Sequence, residues 1–299
     1  MSAAPRAALL DAVAIIVCTL AWGTTWYAIT LQFGVVDPIV SIVYRFALAA
    51  ILLFAWCALR REAVALTRAQ HLAALGIGLF TFAIDYAFVY WAEERVASAV
   101  VAVIFAALAF TNLAIFRLWF GERPAPAAWI AAGLGVAGVA LLSWGEIANA
   151  QMSERALVGV ALALGGVFFA AIGNVCARNG ELAGAPVAPL TGWAMGYGAA
   201  LLALFAVVTG RQWAFELSAR YVLSLLHLSV VGSVIAFVLY YGLARRRGYG
   251  AASYIAALTP PVAMLVSSMF ENKVWSVLAL SGVALVLAGQ WLLLRTRRA

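Results

Sequence analysis

Ten runs of about 20 apolar residues follow one another along this 299-residue chain, and they restrict its fold more than any other feature. Eight of the runs contain no formal charge, whereas Arg45 lies inside the second run and Asp85 inside the third. A helix of about 20 apolar residues spans the hydrocarbon core of a lipid bilayer, so each run predicts one transmembrane helix. In chain order the runs are Ala12–Leu31, Pro38–Leu59, Leu72–Ala92, Val96–Phe116, Pro124–Gly145, Ala156–Ala177, Ala185–Val208, Tyr221–Ala244, Gly248–Phe270 and Val274–Leu294.

Composition rules out a fold that is soluble in water. Hydrophobic residues make up 66% of the chain and charged residues only 10%, whereas about a quarter of the residues in a soluble domain are charged. In a soluble protein the net charge of +7 would suggest nucleic acid as a partner, but here we attribute it to loop arginines that orient the helices. Cys18, Cys57 and Cys176 lie inside apolar runs without a metal-binding spacing, so we interpret them as packing residues.

The basic residues predict how the helices are oriented. Thirteen of the 19 lysines and arginines lie at the termini or in loops on the same side, five lie in loops on the other side, and Arg45 lies within a run. Because cytoplasmic loops of membrane proteins are enriched in basic residues, we expect both termini in the cytoplasm and the protein in a bacterial inner (plasma) membrane. Termini on one side require an even number of helices, which supports ten.

Landmarks in the first half of the chain recur in the second half at a nearly constant offset. Tyr90 and Tyr240 are 150 positions apart, and Glu122 and Glu271, at the ends of the fourth and ninth runs, are 149 apart. We therefore predict two homologous units of five helices.

The boundary of these units is expected near the middle of the chain, giving residues 1–149 and 150–299. Because five is odd, the second unit enters the membrane upside down relative to the first. Inverted repeats of this kind are common in secondary transporters, where the substrate site lies at the repeat interface near the middle of the membrane. The predicted fold is thus an all-α integral membrane protein, with ten helices in two inverted repeats around a central cavity.

Short motifs lie at the corresponding ends and centres of these helices. They are Trp22-Gly23, Arg45-Phe46, Gly121-Glu122-Arg123, Leu258-Thr259-Pro260 and Glu271. In order and spacing they resemble the EamA-domain family of the drug/metabolite transporter superfamily, over nearly the whole chain. The resemblance implies a cavity lined mainly by helices one, three, four, six, eight and nine. It also implies export of amino acids or other metabolites, and the aromatic-rich profile is most similar to amino-acid exporters of the YddG type.

Polar and aromatic side chains recur at helical spacing on the helices expected to face the cavity. Lipid gives helices no hydrophobic reason to associate, so such stripes favour a binding chamber, although helix packing and an interfacial aromatic belt are alternatives. Aromatic walls with a few hydroxyls and amides suit a substrate with an apolar or ring side chain. The candidate substrate-binding residues are Trp22, Trp26, Tyr86, Tyr90, Ser98, Asn112, Asn174, Tyr241 and Tyr254.

Four further residues are candidates for coupling or gating. Arg45 and Asp85 lie at about the same predicted depth, which permits an ion pair; it would be either a strut between helices two and three or part of a proton, amine or gating site. Pro260 and Pro261 interrupt helix nine, because proline lacks a backbone donor and clashes with the preceding turn. The interruption predicts a hinge, a site or an inherited bend.

Other function classes fit the residues less well. A membrane enzyme would need a metal cluster, paired carboxylates or a nucleophile with its base, and Asp85 is the only carboxylate inside a run. A channel would need a selectivity filter or a charged ring. We expect a monomeric secondary transporter that exports amino acids with aromatic or other apolar side chains, with no cofactor, metal or nucleic acid. Alternatives are an exporter of other metabolites and a channel-like facilitator. Proton antiport, exchange and facilitated diffusion all remain open.

Overall fold

The computed structural model of the chain describes residues 3–149, 153–272 and 274–296, and these residues form ten helices that cross the bundle. Seven of the helices are long and apolar enough to span a membrane, and the other three, α5, α9 and α10, contain shorter apolar segments. The helices are α1 (Ala3–Thr30), α2 (Pro38–Leu59), α3 (Arg68–Glu93), α4 (Ser98–Phe120), α5 (Pro126–Asn149), α6 (Glu154–Leu182), α7 (Val187–Val208), α8 (Ala219–Arg247), α9 (249–270) and α10 (Val277–Thr296).

The predicted fold class is confirmed, and local chemistry explains where several helices begin and end. The Asp37 side chain accepts a hydrogen bond from the Ile39 backbone N–H at 2.8 Å and caps the start of α2. The Thr67 side chain and Gln70 form a reciprocal capping box at the start of α3. Helix α4 ends at Gly121, whose φ of +67° is a left-handed conformation that glycine adopts without strain.

Two helices contain a π-helical segment, and the segments occupy equivalent positions in the two halves. In α3 the segment is Gly78–Asp85, and in α8 it is His227–Ile235. Their first residues are 149 positions apart and their last residues 150, which is the offset of the sequence repeat. A π turn accommodates one extra residue and thereby rotates the side chains that follow it, and such turns are frequent at functional sites.

Helices α4 and α9 are discontinuous. Helix α4 breaks at Ala106 and Ala107, near the middle of its length. Helix α9 breaks at Ser253, between Tyr249–Ala252 and Tyr254–Phe270. The expected interruption at the two prolines was therefore wrong in position, since Tyr254–Phe270 is one helix that contains both Pro260 and Pro261. The prolines fall in the second turn of that helix and beyond it, while the break precedes them.

The two halves of the chain interleave through small residues. Helix α2 packs along α7, α3 packs against α6 and α7, and α1 packs against α9. Helices α5 and α10 pack mainly against each other. Glycine permits this close approach: a Cβ on Gly138 in α5 would lie 2.5 Å from the Gly282 carbonyl oxygen in α10. The central element is the first part of α4, Ser98–Phe105, in which every residue is buried.

Candidate functional site

A cavity of about 80 Å³ lies among the helices of both halves, between the discontinuity of α4 and the π segment of α3. Its volume has room for several water molecules. Its wall is formed by α1, α2, α3, α4, α6, α8 and α9, which are the helices expected from the family resemblance together with α2. The lining residues are Trp22, Thr25, Trp26, Ile29, Arg45, Thr81, Asp85, Tyr86, Val89, Phe105, Leu108, Ala170, Asn174, Phe237, Tyr240, Tyr241, Ala256 and Thr259.

Aromatic rings from both halves form one side of this cavity. The Trp22 ring lies 5.3 Å from the rings of Phe237 and Tyr240, measured between centroids. The Trp26 ring lies 5.1 Å from the ring of Phe105. The Trp22 indole N–H donates to the Gly232 carbonyl at 3.1 Å, inside the π segment of α8, which fixes the ring orientation. The wall therefore presents ring faces and edges that suit an apolar or aromatic group.

The cavity-facing stripe of α3 differs from the predicted one. Thr81, Asp85 and Val89, spaced four apart, line the cavity together with Tyr86. Tyr90 does not line it, although it lies four residues after Tyr86. The Tyr90 hydroxyl instead donates to the Gln32 side-chain oxygen at 2.8 Å. The lining stripe on α3 therefore consists of every fourth residue from Thr81, and Tyr90 lies on the side of the helix that faces Gln32.

Ser98 also lies away from the cavity, in a polar cluster at the end of the bundle opposite the chain termini. Its hydroxyl donates to the Glu271 carboxylate at 2.9 Å, and the Ser267 hydroxyl donates to the same oxygen. Glu93, at the end of α3, is 7% exposed, and neither of its carboxylate oxygens has a hydrogen-bond partner in the described residues. Asp85 is the only carboxylate inside an apolar run, but it is not the only buried one, because Glu93 and Asp11 are buried as well.

Asn112 lies directly behind the cavity wall. Its amide group donates to the Ser253 hydroxyl at 2.5 Å and accepts from the amide of Asn174, which lines the cavity, at 3.3 Å. Ser253 is the residue at which α9 breaks, and its hydroxyl lies 3.5 Å from that of Tyr240. These hydrogen bonds join α4, α6, α8 and α9, so the break in α9 is tied to the cavity wall.

The remaining candidates on α9 are Pro260, Pro261 and Tyr254. Pro260 and Pro261 follow the lining residue Thr259 but are not among the lining residues themselves. Tyr254 begins the second part of α9, and its side chain lies outside the part of the structure that is described. Of the nine candidate binding residues, five line the cavity: Trp22, Trp26, Tyr86, Asn174 and Tyr241.

Arg45 and Asp85 both line the cavity, but the expected ion pair is not formed. The ion pairs among described residues join other groups, and none includes Arg45 or Asp85. The Arg45 guanidinium instead donates from Nε to the Ser233 hydroxyl at 3.0 Å. Ser233 lies in the π segment of α8, 188 residues away in the sequence. Arg45 therefore connects α2 to α8 in the other half, and it reaches α3 at the Tyr86 hydroxyl, to which Nη2 donates at 3.4 Å, and not at Asp85.

Several lining residues were missed or ranked low by the sequence analysis. Phe105 and Phe237 belong to the same stripes as chosen candidates, seven residues before Asn112 and four before Tyr241, so helical spacing was a usable signal. Tyr240 was interpretable as part of an interfacial aromatic belt, yet it is 3% exposed and lines the cavity. Thr259 could also have been selected as a candidate, since it lies inside Leu258-Thr259-Pro260, one of the motifs that carry the family resemblance.

The comparison with known families decides what kind of protein this architecture belongs to. The model of the EamA-like transporter family matches residues 10–144 and again residues 157–295, which together make up most of the chain. The chain belongs to the EamA-like transporter family. It is an integral membrane protein and a membrane transporter, and the family match appears twice, once in each half.

Individual relatives agree with this assignment. The chain is 28% identical over 249 residues to YedA of Escherichia coli K12, described as an uncharacterized inner membrane transporter; the match covers 83% of this chain and 78% of YedA. It is 30% identical over 107 residues to the protein PagO of Salmonella typhimurium, covering 35% and 34% of the two chains. A crystal structure that is 20% identical superposes with a TM-score of 0.74 over 96% of this chain and 98% of that one, which supports the fold.

Proposed function

We propose that this EamA-like transporter exports amino acids with aromatic or other apolar side chains, and related small metabolites, by alternating access. The observation that carries the proposal is the aromatic wall of the central cavity, to which both halves contribute. Trp26 and Phe105 come from the first half, and Phe237 and Tyr241 from the second. Rocking of one half against the other would separate these rings and release a bound side chain.

The proposal assigns different roles to the candidate residues. Trp22, Trp26, Tyr86, Asn174 and Tyr241 would contact the substrate from the cavity wall, where they lie. Tyr90, Ser98 and Asn112 would hold the helices around the cavity in place through their hydrogen bonds. Pro260 and Pro261 would act through the shape of the helix that contains them. The two five-helix units would correspond to residues 1–149 and 150–299, in agreement with the offset of the π segments.

Replacing Trp26 or Tyr86 with alanine tests this assignment. Removing a ring that contacts the substrate is expected to lower transport about tenfold, since the loss of one aromatic contact is worth about 1.4 kcal/mol. The measurement is counterflow of each of the natural amino acids in proteoliposomes. Trp56→Ala is the matched control, because Trp56 is 51% exposed on the outer surface of α2. Equal transport of every amino acid by Trp26→Ala, Tyr86→Ala and wild type would show that the cavity is not the binding site.

The same assay separates a carrier from the other function classes. Saturation and counterflow are the expected results for a carrier, whereas an ohmic current would indicate a channel. Transport of other metabolites with no amino-acid transport would favour the alternative of a non-amino-acid exporter.

We further propose that the protein lies in the bacterial inner membrane with both termini in the cytoplasm, as the arginine bias and the description of YedA as an inner membrane transporter support. Cysteines introduced one at a time at exposed loop positions, after replacement of Cys18, Cys57 and Cys176, test the orientation. A membrane-impermeant maleimide is expected to label Gln212→Cys in intact cells and Glu122→Cys only after permeabilisation. The reverse pattern would overturn the orientation.

A further inference from the structure

An arginine and an aspartate face the cavity without forming an ion pair with each other. Arg45 is 1% exposed and Asp85 is 4% exposed, and both line the cavity between the halves. No ion pair joins them in the described part of the chain. A charge buried in a membrane protein costs at least about 2.5 kcal/mol unless it is paired or hydrated. A cavity that holds two such ionisable groups without an ion pair therefore calls for a ligand that pairs with them.

The guanidinium of Arg45 is held rigidly, with one nitrogen left over. Its Nε donates to Ser233 at 3.0 Å and its Nη2 contacts the Tyr86 hydroxyl at 3.4 Å. The guanidinium carbon lies 4.6 Å from the centre of the Tyr86 ring. Nη1 is buried and has no hydrogen-bond partner. A guanidinium fixed in this way is a preformed donor for a carboxylate, which is the anion that matches its geometry.

The carboxylate of Asp85 has a corresponding free acceptor. Its Oδ1 is buried and has no hydrogen-bond partner. A Cβ added to Gly166 in α6 would lie 3.1 Å from this oxygen, so the glycine allows α6 to pack closely against the carboxylate. Asp85 is the last residue of the π segment of α3, and Tyr86 follows it. The same backbone irregularity therefore positions both the Asp85 carboxylate and the Tyr86 hydroxyl that contacts Arg45.

We propose that Arg45 and Asp85 form a zwitterion clamp, in which Arg45 Nη1 donates to the α-carboxylate of an amino acid and Asp85 Oδ1 accepts from its α-ammonium group. The clamp deepens the proposed function and rests on it, because it names the functional groups that a substrate must carry. A ligand with both charges forms a hydrogen bond with each of the two buried side chains. A ligand with only one charge leaves either Arg45 or Asp85 without a partner. Sites built to hydrogen-bond a substrate group reject analogues that lack it, because their own buried polar groups then stay unsatisfied. The substrate side chain would lie against Trp26 and Phe105, whose rings form the nearby wall.

Three matched compounds test the clamp without any mutation. L-Phenylalanine carries both charged groups, 2-phenylethylamine lacks the carboxylate, and 3-phenylpropionate lacks the ammonium group. In competition against counterflow of radiolabelled L-phenylalanine in proteoliposomes, each analogue is expected to compete at least about tenfold more weakly than L-phenylalanine. Equal competition by the three compounds would overturn the clamp and leave the proposed function standing. Absence of transport for every amino acid in the panel would overturn both.

Variants then show which charged group of the substrate each residue binds. Each variant is expected to weaken some of the three compounds and not others, whereas general damage to the protein would weaken all of them. Asp85→Asn keeps the shape of the side chain and is expected to weaken binding of L-phenylalanine about tenfold while leaving 3-phenylpropionate unchanged. Arg45→Lys is expected to weaken L-phenylalanine and 3-phenylpropionate and to leave 2-phenylethylamine unchanged. Glu122→Gln, at an exposed carboxylate, is the control for loss of a negative charge. An equal effect of Asp85→Asn on all three compounds would overturn the assignment of the ammonium group.

Discussion

Replacing Gly198 with alanine is expected to lower both the stability and the transport activity of the protein, whereas the same change at Gly196 is expected to leave them near wild type. Both residues lie on α7, two positions apart. A Cβ on Gly198 would lie 2.6 Å from the Phe82 Cβ and 3.0 Å from the Gly78 carbonyl oxygen. A Cβ on Gly196 would meet no atom closer than the Ala50 Cβ at 3.9 Å.

The difference follows from what Gly198 touches. Gly78 and Phe82 belong to the π segment of α3, which ends at Asp85. A backbone carbonyl cannot move aside as a flexible side chain can, so the added methyl group must separate α3 from α7. Overpacking of this kind costs about 1–3 kcal/mol, which exceeds the roughly 1 kcal/mol that alanine gains over glycine in a helix. The displaced segment carries the lining residues Thr81 and Asp85, and a third lining residue, Tyr86, follows it directly, so transport should fall together with stability.

Thermal unfolding in detergent and counterflow in proteoliposomes measure the two effects. We expect a lower thermal midpoint and an at least about tenfold loss of transport for Gly198→Ala, with Gly196→Ala equal to wild type or slightly more stable. A wild-type midpoint for Gly198→Ala would show that α3 and α7 do not approach as closely as the structure has them.

Replacing Asp11 with asparagine is expected to open the end of the bundle that carries the chain termini. The Asp11 carboxylate accepts from Arg246 Nε at 2.8 Å through one oxygen and from Arg247 Nε at 2.6 Å through the other. Asp11 lies on α1 and both arginines on α8, so these bonds join the two halves. Asp11 is 8% exposed, whereas the side chains of Arg246 and Arg247 are 39% and 55% exposed, so solvent screens these interactions in part.

The expected effect is large because both bonds depend on the carboxylate charge. A hydrogen bond to a charged group contributes about 1.5–3 kcal/mol, and the amide of asparagine keeps the shape but not the charge. If the closed state of the bundle end that carries Asp11 loses about 2 kcal/mol of stability relative to the open state, the population of the open state rises roughly thirtyfold. Arg211 is the matched position at the opposite end, where its guanidinium pairs with Asp37 at 3.2 Å, again between the two halves.

Distances between spin labels report the opening. Labels on Glu122→Cys and Leu182→Cys, at the exposed ends of α4 and α6 on the Asp11 side, are expected to move apart in Asp11→Asn. The same labels are expected to stay in place or move closer in Arg211→Gln, which weakens the other end. No change in Asp11→Asn would show that this ion pair does not hold the halves together.

Much of the fold could be predicted because each membrane helix must satisfy its own backbone in lipid. Ten apolar runs gave ten helices, and the second run, Pro38–Leu59, has the same bounds as α2. The spacing of four residues also predicted that Trp22 and Trp26 share one face of α1, and both line the cavity. The same spacing rule failed for Tyr90 on α3, whose hydroxyl donates to Gln32 and which does not line the cavity.

The partners of the charged groups could not be predicted in the same way. Equal depth suggested that Arg45 pairs with Asp85, but the arginine donates to Ser233 from the other half of the chain. Likewise, Glu93 lies just outside the third apolar run, Leu72–Ala92, but it is the last residue of α3 and is buried. Position along a helix fixes how deep a side chain lies in the membrane, but it does not fix which helix lies opposite.

The sequence by itself determined that this protein lies in a lipid bilayer and that it has ten helices, because each span needs its own run of about 20 apolar residues. The repetition of landmarks at a nearly constant offset likewise determined that the chain has two similar halves. Only the tertiary structure decided which side chains share the cavity and that Arg45 and Asp85 face it without pairing. These features arise where helices from the two halves meet, and contacts between residues more than 100 positions apart depend on the packing of whole helices rather than on any local pattern.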